Sequence, residues 1–432
     1  IAGNTGLTLN GGKGLGFDSY ASNGGNQVGS VGFGCSGPVT LQGDTITFAT
    51  TTTYFDCTGA LILESATQNS FSGAQTLSSS NLSFSNFASF RWGKTSNTSS
   101  MTMSAPISTT GNIEIYGSNI SLTKNLTTSA TAGSILLKAT GDISTSGGLS
   151  GTPVALQTKA GPITLWSDSD NSGAGAISLA DYTNLNSANG TTAATSQTTA
   201  GAAITLGGGL DTSSPADGIP DGYATGNSSG ITNGVRIGAG TTASGVFNNL
   251  ISGTGSISIK GKSAYAAGTY VAASVSMVSG GAILIEGSAS GTASGSVAGL
   301  DLFNATTVTN AGSLWSAAGT GATAIQLIGN TTNSNADNPA GLFINKSGGA
   351  SYIAMLKATG GGNISISGSG SSTTGTDIST KYTDILAANG NITVTGGTRN
   401  VVLGANTTLG FRSGTAVTAD TGAITINANQ LD

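Results

Sequence analysis

Histidine is absent from the 432 residues, glutamate occurs three times, cysteine twice and proline seven times, and only 8% of the chain is charged. Each shortage removes a class of function. Without histidine there is no imidazole to act as general base or metal ligand, and two cysteines alone do not complete a zinc site. The 14 Lys and Arg against 19 Asp and Glu leave a net charge of -5 and a pI near 4.6, with no basic stripe to grip phosphates. Nucleic acid is therefore not an expected partner. Apolar runs such as Ala282 to Ile285 stop far short of the ~20 residues that span a bilayer, so the chain is expected not to cross a membrane. It begins at Ile1 with no charged-then-apolar leader, which implies that any export signal was removed or lies upstream.

What is present is 69 Gly among abundant Ser, Thr and Asn, with Ile, Leu and Val recurring in ordered alternation. That alternation excludes disorder, because disordered chains also lack aliphatic residues. A short motif of Gly, any residue, Ile, any residue, then Ile, Leu or Val carries the pattern. It stands at Gly111-Asn-Ile-Glu-Ile115, Gly133-Ser-Ile-Leu-Leu137, Gly161-Pro-Ile-Thr-Leu165, Gly175-Ala-Ile-Ser-Leu179 and Gly255-Ser-Ile-Ser-Ile259. It returns at Gly281-Ala-Ile-Leu-Ile285, Gly362-Asn-Ile-Ser-Ile366, Gly390-Asn-Ile-Thr-Val394 and Gly422-Ala-Ile-Thr-Ile426. Each copy is a turn glycine followed by a period-2 strand that puts two aliphatic side chains on one face.

Intervals between the central Ile residues include 22 (113 to 135), 28 (135 to 163), 26 (257 to 283), 28 (364 to 392) and 32 (392 to 424). These are coil lengths of a β-solenoid. One strand cannot bury its apolar face alone, but strands stacked ~4.8 Å apart make a continuous core. The expected fold is all-β, a right-handed parallel β-helix. At about 25 residues per coil it would have ~17 rungs and a length of roughly 80 Å. The long gap from Ile204 to Ile257 is read as two coils, with Val235-Arg-Ile237 between them. The short gap from Ile163 to Ile177 is too small for a coil and puts Ile177 on a second face of the same rung. Stretches 190–201 and 287–299 have loop composition. An antiparallel sandwich also uses short alternating strands, but does not need identical ones. A helical fold is excluded by the frequent glycine and the spacing of two.

Residues 1–110 are less regular and carry Phe71, Phe84, Phe87, Phe90 and Trp92. They are either a cap over the solenoid end or first rungs with Phe stacked inside. Residues 111–432 are the repetitive rod. The last strand, Ile424-Thr-Ile426, has no evident cap.

Gly-Asn-Ile-x-Ile and Gly-Ala-Ile-x-Leu strands in Ser/Thr/Asn/Gly-rich sequence resemble the two-partner-secretion exoproteins, the filamentous haemagglutinin-like adhesins, and, more distantly, autotransporter passengers. The likeness covers about residues 111–432. It implies export across a Gram-negative outer membrane and a role in adhesion, aggregation or surface display. The Asn-Pro-Asn signature of that family's secretion domain is absent; the sole Asn-Pro is Asn338-Pro339.

Cys35 and Cys57 are separated by one coil length, the same interval as Ile113 to Ile135. Stacked Cα atoms ~4.8 Å apart fall inside the ~4.4 to 6.8 Å range of a disulfide, which is the expected state. Asp168, Asp170 and Ser172 open like a calcium loop, without the closing Glu; Leu179 occupies that position. Asp211, Asp217 and Asp221 resemble the end of a thrombospondin-type-3 calcium repeat. For both, a solvated turn competes with a calcium site. No other cofactor is expected. Sequons at Asn119, Asn363 and Asn391 follow from composition.

Enzymes on this fold group Asp, Lys, Arg or His into a cleft. Here Glu64, Glu114 and Glu286 are far apart in the chain, and the close acids sit in turns without neighbouring Lys or Arg. Catalysis is not expected. The expectation is an extracellular or cell-surface adhesin or structural rod, with a host-cell, glycan or neighbouring-cell surface as partner. Low charge and the bare last strand raise a self-assembling filament, a homopolymer stacked end to end, as the alternative. A polysaccharide-active or tailspike-like protein is the third reading.

Overall fold

In a computed structural model, residues 7–13, 15–17, 31–35, 37–48, 53–78, 82–85, 87–146, 148, 152–190, 196–227, 230–238, 248–291, 297–303, 312–333, 339–345, 353–371, 375–410 and 422–432 are described. Of strands 15–17, 31–35, 53–57 and 82–85 the backbone alone is described. The chain forms a parallel β-helix with three long parallel faces. One coil shows the plan: Ile113–Gly117 on the long face, Ile120–Leu122 on the second, Leu126–Thr131 on the third, then Ile135–Ala139 back on the long face one rung along.

The motif predicts this arrangement because each copy supplies two inward positions. On the long face the first of them forms one row: Val39, Leu61, Phe90, Ile113, Ile135, Ile163, Ile204, Ile257, Ile283, Ile325, Ile364 and Ile392. All are buried, and burying each aliphatic side chain contributes about 1.5–3 kcal/mol before ordering costs. Leu156, Leu185, Leu250, Met277, Leu314, Leu356 and Ile385 form the matching row on the third face. Ile177 lies on the second face, between Ile143 and Val235.

The amino-terminal strands continue the same rows. Phe90 and Trp92 pair with Ile113 and Ile115, and Phe71 and Phe87 belong to the same core. The side chain of Phe84 lies outside the described residues.

Rung and coil counts differ from expectation. Among the described residues the ordered path of the long face contains 14 strands, so coils are longer on average than expected, because insertions lengthen them without adding rungs. Ile204 pairs directly with Ile257, making the gap between them one coil; Val235–Ile237 sits on the second face of that coil. Within 287–299, Gly287–Ala289 and Ala298–Gly299 are strand rather than loop.

Two recurrent polar devices hold the corners. Thr109, Thr128, Thr158, Ser187, Ser252, Ser279 and Ser316 are buried where the third face turns into the long face. Their hydroxyls donate to carbonyls of that corner, as Thr128 does to Gly133 at 2.8 Å and Ser252 to Gly255 at 2.9 Å. A buried hydroxyl without such an acceptor costs about 1–3 kcal/mol, so the corner carbonyl explains why Ser and Thr are tolerated inside. The second device explains the Asn of Gly-Asn-Ile. Asn363 Oδ1 accepts the backbone N–H of Asn391 at 2.8 Å, and Asn391 Oδ1 accepts that of Ala423 at 2.8 Å. Asn112, Asn119 and Asn125 do the same for Ser134, Asp142 and Ala155. Asparagine before the first inward aliphatic therefore ties its corner to the next rung.

Candidate functional site

Outward positions of the long face carry charged side chains across eight successive strands. All three glutamates stand there, Glu64, Glu114 and Glu286, with Arg91, Lys138 and Lys260. Adjacent rungs alternate in sign: Arg91 pairs in register with Glu114, and Lys260 with Glu286. Arg91 also bonds Glu64 at 2.6 Å, and Gln42 donates to Glu64 at 2.9 Å.

Aromatic residues are set into this charged row. Tyr116, Lys138 and Trp166 are consecutive register partners, and the Lys138 ammonium lies 3.5 Å from the Trp166 ring centroid. That cation–π contact offsets part of the desolvation that lowers the Lys138 pKa; the charge of Asp211 acts in the opposite, raising sense. Tyr116 donates to Glu114 at 3.1 Å. Burial, and then the Glu114 charge, push its pKa up to about 12.

Residues 209–223 rise from the strand Ile204–Gly208 and lie over the middle of this row. The loop is pinned at both ends. Trp166 Nε1 donates to Gly209 O at 2.7 Å, and Tyr223 donates its hydroxyl to Glu286. Burial and that bond raise the Tyr223 pKa. Lys260 donates to the backbone carbonyl oxygen of Asp221 at 3.2 Å. Gly207 matters here: a Cβ would meet Gly222 O at 3.1 Å, so a side chain at 207 would lift the loop.

The acids singled out as calcium ligands are engaged with their own loops. Asp221 Oδ2 accepts from Thr212 N and Oγ1 at 2.6 and 2.8 Å, and these bonds hold its pKa below the usual value. Asp211 accepts from Ser213 N and Gly218 N, and Asp217 from Ile219 N. Asp168 is fully buried; it accepts from Gly173 N at 3.0 Å, Ser172 Oγ at 3.3 Å and Thr225 Oγ1 at 2.8 Å. Asp170 accepts from Ser172 N. Among the described residues no three acidic or thiol side chains converge as metal ligands. The two loops, though well separated in sequence, are neighbours in space: Gly209 N donates to Asp168 O at 3.1 Å. The result is a rigid, hydrogen-bonded ledge with Leu210 and Ile219 exposed.

Cys35 and Cys57 are register partners at the ends of Val31–Cys35 and Thr53–Cys57. Their side chains lie outside the described residues. No helix among the described residues is long and apolar enough to cross a membrane. The chain matches no protein-family model, no curated protein and no solved structure.

Separation in sequence hid the grouping of the glutamates. The signal was in the motif phase: Glu114 is the variable residue between the two aliphatics, and Glu286 follows the second one. Both positions point outward.

Proposed function

We propose that the chain is the rod of a secreted or cell-surface adhesive protein, with the outer surface of the long face and its 209–223 ledge as the contact surface. The observation that carries this is that one face of the stack bears all three glutamates with Arg91, Lys138 and Lys260, and that the ledge lying over it exposes Leu210 and Ile219. A stack of 14 strands at ~4.8 Å is roughly 60 Å long, enough to hold a surface away from its anchor. Rigid presentation lowers the ordering cost of binding, and charge of alternating sign beside a small apolar ledge suits a polar, hydroxyl-rich partner such as a glycan on a host or neighbouring cell. Resemblance to filamentous haemagglutinin-like exoproteins supports export and surface display. A disulfide between Cys35 and Cys57 fits an oxidising compartment. The role is binding rather than catalysis.

The test is binding of the purified chain to glycan arrays and bacterial or host cells, with a Lys260→Ala/Glu286→Gln/Tyr223→Phe variant beside it. At least tenfold weaker binding by a variant with unchanged circular dichroism is expected. Equal binding by the variant, or end-to-end fibres without cell binding in electron microscopy, would overturn the proposal; fibres would put self-assembly in its place.

A further inference from the structure

In a solenoid each rung touches only its neighbours, so unravelling at one end is expected to proceed a rung at a time. Residues 196–201 break that rule. They form the single helical turn Ser196–Thr198 among the described residues and cross corners of later rungs before Ala202 returns to the corner at Ser187. Thr199 O accepts the backbone N–H of Thr254 at 2.9 Å, and Gly201 N donates to Thr254 Oγ1 at 3.2 Å. One rung further on, Gln197 Nε2 donates to Ser279 O at 3.2 Å. Further still, Thr359 shares its one hydroxyl hydrogen between Ser316 O at 3.1 Å and Gln197 Oε1 at 3.4 Å, 162 residues away in the chain.

The corners are shaped to receive this segment. A Cβ at Gly253 would meet Thr199 O at 2.5 Å, and one at Gly280 would meet Gln197 O at 2.1 Å. Glycine therefore stands where the strap backbone crosses two successive rungs. The chain thus spends a low-complexity insertion on contacts that skip rungs, which no solenoid needs for its own core.

We infer that residues 196–201 are a strap that locks residues 252–362 into one mechanical unit, so that the middle of the rod resists unravelling under tension. An adhesive rod is pulled along its length, and a locked section limits how far it opens. The strap's existence does not depend on the adhesive reading, and the experiment reads the strap alone.

The experiment is single-molecule stretching of the full chain from its ends, with native-state hydrogen exchange in parallel. In the wild type, residues 252–362 open in one step of roughly 350–400 Å at about 3.5 Å per residue. Gly280→Val removes the room for the Gln197 carbonyl, and Gln197→Ala removes its two side-chain bonds while leaving the corners intact. Either variant divides that step into single-rung steps of roughly 90–150 Å. Amide exchange rises at least tenfold at 252–281 and 359–362 and is unchanged at 113–117. Rung-by-rung opening of the wild type, or an undivided step in Gln197→Ala, would overturn the inference. If Gly280→Val fails to fold, Gln197→Ala still decides.

Discussion

Between Ile113 and Gly208 the long-face strands are five residues each; the first two turn directly onto the second face at Ile120 and Ile143, and the next two give rise to the Asp168 and 209–223 loops. Ile257–Ser263, Ile283–Ala289, Thr323–Thr331 and Asn363–Ser369 instead run seven to nine residues and overshoot the core before returning. The inward positions are the same in both regions, so the core does not set the difference. Glycine does. Gly261, Gly287, Gly329 and Gly368 are consecutive register partners at the point where the returning chain crosses. A Cβ at Gly329 would meet Gly341 O at 2.1 Å. The overshooting tips then bury small apolar groups of their own, Ala289 with Val297, and Ala298 with Ala340 and Phe343. One stack of identical cores can therefore carry two kinds of edge, and where the strand runs on, glycine leaves room for the chain that crosses it.

The largest effect should come from filling that crossing. Gly329→Val is expected to cost more than about 4 kcal/mol, because backbone rather than a flexible side chain blocks it. Gly173→Ala, in open space at φ +84, should cost about 1 kcal/mol from backbone strain alone. Urea midpoints of the two variants test this, and similar costs would end the distinction between the regions.

Leu137→Ala and Ile285→Ala occupy equivalent inward positions in the two regions and should each cost about 3 kcal/mol. Denaturant titration checks it; a difference of more than twofold would mean the cores are not equivalent.

Reduction of the proposed Cys35–Cys57 bridge should lower the stability of the first rungs by about 3 kcal/mol for a loop of this length, leaving the later ones unchanged. Thiol alkylation under denaturing conditions, read by mass spectrometry, first establishes whether the bridge is present.

The smallest effect is electrostatic. Tyr116 has a folded-state pKa of about 12 against an ordinary 10.0, so its stabilising contribution is whole below pH 10 and is lost as pH rises through about 12. Tyr116→Phe should remove this step from a phenolate titration followed by absorbance; an unchanged titration would show that Tyr116 is not the group responsible.

Much of the fold is legible in the motif, since Gly-x-Ile-x-Ile states both where a strand begins and which side chains face inward. The second-face position of Ile177 follows from spacing too short for a coil. Coil length misled at Ile204 to Ile257 because an insertion and a rung have the same composition of Gly, Ser, Thr and Asn. The candidate surface was less legible: Glu64, Glu114 and Glu286 are each separated by more than one coil of sequence, and distance along the chain concealed a common face. The acids of the two turn motifs were easy to find; Asp221 is held within its own loop by Thr212, while Asp168 takes a partner, Thr225, from a distant segment.

The sequence by itself determined the strand and its inward pair, because period-2 alternation and turn chemistry are local. Only the tertiary structure decided which rungs are neighbours, where the 209–223 ledge rests and which corners the strap crosses. Those depend on how far each insertion reaches over the stack, and that distance is set by packing against residues as many as 162 positions away.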